Sequence, residues 1–123
     1  MFIDDVTTKL LTVALDFSSL EQAAIAENIA NANTENYHEM SVNFDKQFSE
    51  IKEMVNSHVE PARLEEEIDS IEPKLQISDH AEKIKLDQQM MSLVENSTYY
   101  RTLTKGIQKH FSLLSLAIDG GKR

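Results

Sequence analysis

Cysteine and tryptophan are absent from the 123 residues, glycine occurs three times and proline twice, and 12 bases face 21 acids. Without cysteine there is no disulfide scaffold, thiolate metal site or cysteine nucleophile. The glycines, Gly106, Gly120 and Gly121, all lie toward the C-terminus. No phosphate-cradling loop can be built from them, which removes P-loop and dinucleotide-binding readings. A formal charge of -9 opposes nucleic acid, whose binding rests on cationic neutralisation of phosphates, and opposes docking on an anionic membrane surface. The acids in Met1-Phe2-Ile3-Asp4-Asp5 stand where a secretory signal needs bases, and no run approaches the ~20 apolar residues of a membrane span. The expectation is one soluble domain, exported if at all without signal cleavage, with no direct membrane insertion.

What remains is helical patterning. From Ile3 the apolar positions Val6, Leu10, Val13, Phe17, Leu20 and Ala24 alternate steps of three and four, a heptad seam. The pattern predicts a helix over about residues 5–31, capped by Asp4 or Asp5 and stopped by the asparagines from Asn31. A second seam runs through Leu86, Met90, Leu93, Ser97, Tyr100, Thr104, Ile107, Phe111, Leu114 and Ile118, with two polar gaps. Asp79 with Glu82, or Asp87, would start that helix; Gly120-Gly121 would stop it, with Lys122 and Arg123 beyond. The predicted class is all-α, the terminal helices pairing as an antiparallel coiled-coil hairpin.

Both helices carry further apolar residues off the seam: Leu11, Leu15, Ile25 and Ile29 on the first, Leu103, Leu113, Leu116 and Ala117 on the second. Pairing covers one stripe of each helix and leaves another that needs a partner chain. The alternative is that the middle segment folds back over it. Phe44, Phe48, Ile51 and Val55 predict an amphipathic helix over about 42–57. Pro61 and Pro73 bracket a stretch that reads as a short acidic helix or a linker. Residues 73–81 read as extended or looping.

Catalytic and metal readings find little support. His38, His58, His80 and His110 show no ligand spacing, and Glu65-Glu66-Glu67 reads as a solvated acidic face. Tyr99-Tyr100 beside Arg101 fits an interface better than base stacking. Asn96-Ser97-Thr98 matches a glycosylation pattern but lies mid-helix. No catalytic residue, metal or cofactor is expected.

Asn28-Ile29-Ala30-Asn31-Ala32-Asn33-Thr34-Glu35-Asn36-Tyr37 resembles the Ala-Asn-x-x-Thr-x-Gly-Tyr signature of bacterial flagellar rod and hook proteins. Val42-Asn43-Phe44 with Phe48, and Ile84-Lys85-Leu86-Asp87-Gln88-Gln89-Met90, look like the FlgB family of proximal rod proteins, as does the stretch from Phe111 to Ile118. The similarity covers about residues 5–48 and 84–120. Asn36 stands where the family has Gly, and Glu35 where Pro is frequent; Asn tolerates the left-handed backbone that such a turn demands. The signature residues are Asn28, Ala30, Asn31, Thr34, Asn36 and Tyr37. Asn28 and Asn31 are expected to bond across a subunit contact, and Tyr37 to pin the exiting chain.

The resemblance implies a non-enzymatic subunit of the flagellar proximal rod, exported through the type III apparatus and folding on assembly. Its partners would be other rod subunits, the membrane-ring base and the export apparatus, with no nucleic acid. It would reside in the flagellum basal body. The assembly domain would comprise residues 1–37 and 82–123, around a variable segment, 38–81. Subunit contacts are expected from Val6, Leu10, Val13, Phe17, Leu20 and Ala24 on the first helix. The second would add Met90, Leu93, Tyr100, Ile107, Phe111, Leu114 and Ile118. Phe44 and Phe48 resemble a short export-gate motif. The rival readings are a cytoplasmic type III secretion chaperone and a coiled-coil adaptor.

Overall fold

A computed structural model describes residues 2–121, with side chains from 6 to 120. The order is α1 (Phe2–Ala30), β1 (Met40–Ser41), α2 (Asp45–Asn56), α3 (Pro61–Asp69), β2 (Gln76–Ile77) and α4 (Leu86–Gly121). At ~1.5 Å per residue, α1 is about 43 Å long and α4 about 54 Å. They pack side by side and antiparallel: Leu11 lies against Gly106, Ser18 bonds Asn96, and Asn28 bonds Gln89. The all-α hairpin is therefore the fold.

The two apolar stripes of α1 serve different neighbours. Leu11, Ser18 and Asn28 turn toward α4, while Val6, Leu10 and Val13, on the heptad seam, pack against α3 and α2. The centre of that second contact is Ile51, Leu64 and Ile68, with Met54 and Ile71 beside them. Pro61 sits in the first turn of α3, where its missing N–H costs nothing. Lys9 clips the pair from outside, with Nζ 2.7 Å from Glu65 and 2.8 Å from Asp69. Farther along the seam Phe17 stacks on Phe44 at 4.4 Å. The middle segment thus folds over one flank of the hairpin, the alternative that the spacing left open.

Several boundaries differ from the sequence expectation. Helix α1 begins at Phe2, ahead of Asp4 and Asp5, which lie within it instead of before it. Of the two expected starts for α4, the one at Asp79 is not used, while the one near Asp87 is: the helix begins at Leu86 and Asp87 Oδ1 accepts from Gln88 N–H at 2.9 Å. Residues 79–85 are non-helical, because β2 pairs with β1 (Met40 with Ile77, Ser41 with Gln76) and Ser78 N–H donates to Glu39 O at 2.9 Å. That ladder holds the chain extended just before the proposed capping box. Asp87 lies one residue inside the helix. Helix α4 runs through Gly120 and, as far as it is described, ends at Gly121. Lys122 and Arg123 lie outside the described residues.

Candidate assembly surface

The signature loop is built around one side chain. Asn28, 1% exposed, fills its hydrogen-bonding capacity within the chain. Its Oδ1 accepts from Tyr37 Oη at 2.8 Å and from Met40 N–H at 2.9 Å. Its Nδ2 donates to Met40 O at 2.8 Å and to Gln89 Oε1 at 3.2 Å. Gln89 in turn donates to Glu39 Oε1 at 2.6 Å. The end of α1, the loop behind it and the start of α4 are thereby tied at a single point. The expected Asn28 bond to a neighbouring subunit is corrected: no donor or acceptor is left over. Asn31 likewise turns back, donating to Glu27 O at 2.9 Å and accepting from Thr34 Oγ1 at 3.0 Å.

Asn36 takes φ of 57°, a left-handed conformation that Asn tolerates better than most side chains. Tyr37 donates through its hydroxyl to Asn28 Oδ1, and burial holds the phenol above its ordinary pKa. Ala30 is exposed.

A second polar group sits mid-hairpin. Ser18 Oγ donates to Asn96 Oδ1 at 3.0 Å; Asn96 Nδ2 reaches Ser18 O at 2.9 Å and Gln22 Oε1 at 2.7 Å. Gln22 Nε2 donates to Ser97 Oγ at 3.0 Å. Gln89 and Asn96, one heptad apart, both face α1. Sequence reasoning missed this polar register because it weighed apolar positions alone. The signal was the amide recurring at seven residues.

The expected interface residues divide. On α1, Phe17 and Ala24 are buried, while Val6, Leu10, Val13 and Leu20 are half-covered. That side is occupied largely by the chain's own middle segment. On α4 the heptad seam lies to one side of the α1 contact. Leu93, Ile107 and Leu114 are half-buried; Met90, Tyr100, Phe111 and Ile118 are exposed, Phe111 by 52%. Phe44 packs on Phe17 and edge-on to Phe48, which stays half exposed. Beside the α4 seam runs an open groove of about 730 Å³. Small residues of α1 (Ser19, Ala23, Ala26) form one wall, and Tyr100, Thr104 and the Arg101 stem form much of the other. Thr104 Oγ1 is satisfied by Tyr100 O at 2.9 Å, which leaves this wall sterically small and locally dry of unmet bonds. Such a concavity between helices accepts another helix or ridge.

Among the described residues no cluster of three or more His, Asp or Glu could hold a metal, and no helix is long and apolar enough to cross a membrane. No curated protein matches the chain. Residues 14–38 match the pattern of the family described as flagella basal body rod protein, and this is the stretch that carries Ser18, Asn28 and the Asn36–Tyr37 turn. Over that segment the chain is similar to the flagellar basal-body rod proteins.

Proposed function

We propose that the protein is a structural, non-enzymatic subunit of the proximal rod, of the FlgB branch. It is exported by the type III apparatus and completes its packing on assembly. The observation that carries this is the uncovered α4 seam beside the small-residue wall of α1, on a chain of a rod family. Large exposed apolar side chains in a row are costly in a free monomer and are accounted for by a neighbouring subunit. In this reading residues 1–37 and 82–123 supply the contacts to other rod subunits and to the membrane-ring base, and 38–81 is the variable insert. The α1 seam contributes from beneath, by holding the insert. Phe44 and Phe48 act before folding, as the segment read by the export gate.

Phe111→Asp tests the reading. The position is half exposed in α4, so far-UV circular dichroism of the purified variant is expected to match wild type. Incorporation into rods, followed by immunoblotting of basal-body preparations, is expected to fail. Normal rods containing the variant would overturn the assignment of this seam. A chaperone would instead keep binding its client in the cytoplasm.

A further inference from the structure

The charge of the molecule is sorted by face. Residues 60–72 hold six acids against Arg63, whereas residues 96–118 hold Arg101, Lys105 and Lys109 and no acid. The three cations are four residues apart, all exposed, and none has an ion-pair partner among the described residues. Arg101 and Lys105 line the open groove. On α3, Glu65 and Asp69 are engaged by Lys9, while Glu66 and Glu67 are exposed, as are Glu60 and Glu72 just outside its two ends. At ~100° per residue, Ser19, Ala23 and Ala26 lie roughly 140° around α1 from Val6, Leu10 and Val13. The groove and α3 therefore occupy opposite flanks of the hairpin.

We propose, resting on the rod reading, that the groove flank of one copy receives the acidic outer face of α3 from a second copy. Glu66 and Glu67 meet the Arg101–Lys105–Lys109 row, and Ala62 and the glutamate stems lie over the apolar floor at Ala23, Ala26 and Tyr100. Complementary faces on opposite sides of one molecule make a heterologous contact, which propagates into an open array instead of closing as a dimer. It also explains why a chain of charge -9 keeps an acid-free stretch on its longest helix. Like-charge repulsion between acidic subunits is relieved at this contact.

The test uses the full chain in sedimentation velocity over a concentration series at low and high salt. Two charge-reversed variants are compared: R101E/K105E/K109E and E66K/E67K. Wild type is expected to self-associate, less so at high salt, and each variant to associate roughly tenfold more weakly or worse. An equimolar mixture of the two variants, in which every reversed groove meets a reversed α3, is expected to restore association. Circular dichroism checks that each is folded; the α3 variant alone decides against wild type should the triple change disturb α4. A wild type that stays monomeric, variants that associate unchanged, or a mixture that does not recover would each overturn the proposal. Recovery of the wild-type chain in basal bodies is scored separately, so the rod reading can stand while this contact fails.

Discussion

Replacing Asn28 with alanine leaves Tyr37 Oη, both backbone groups of Met40 and the Gln89 side-chain carbonyl without this partner at a partly to fully buried site. The expected loss is about 2–4 kcal/mol by urea denaturation, because orphaned buried groups keep their full desolvation penalty. Glu21 gives a residue-scale prediction in pH. Burial, and then the charge of Asp45, raises its carboxyl above the ordinary 4.5. The folded state therefore binds more protons between the ordinary and the raised value. Its contribution is fully present below the ordinary value and falls away as pH rises through the raised one. Glu21→Gln removes that fall: thermal melts are expected to show the variant more stable at neutral pH and the two proteins converging in acid. The importance of Asn28 could be read from the signature, but its partners could not. Met40, Glu39 and Gln89 are brought to it by a loop and by a helix sixty residues away, and nothing in local spacing announces them.

Among the elements, α1 and α2 were legible because each needs only its own apolar period and a terminator, whereas α3 stayed open between a short acidic helix and a linker because its apolar positions are few. The start of α4 could be narrowed only to Asp79 or Asp87, since a long-range strand pair that holds residues 76–78 extended is what decides against Asp79. The assignment of faces was also illegible. Two stripes on α1 are visible in sequence, but which of them meets α4 depends on the polar pairs at Ser18 and Asn28. Helix α3 is held by little besides Leu64 and Ile68, so Ile68→Ala is expected to cost about 2–5 kcal/mol. Amide exchange should show protection lost over residues 61–69 before it is lost in α1. Gly106 moves the other way. A Cβ there would meet Leu11 Cδ2 at 3.9 Å, an ordinary contact, so Gly106→Ala is expected to raise stability by about 0.5–1 kcal/mol through helix propensity.

For the molecule as a whole, the dominant feature is a pair of long antiparallel helices, α1 and α4, with different surroundings on their two flanks. One flank of the hairpin is closed by the chain's own middle segment and the other is left open. That asymmetry sets an assembling subunit apart from a finished bundle. The central claim is tested most directly by asking where the protein is found. Basal bodies extracted from the host cells with detergent and purified are expected to contain it as a stable component that resists washing with salt. Recovery only from the cytosol, bound reversibly to a client protein, would contradict the account.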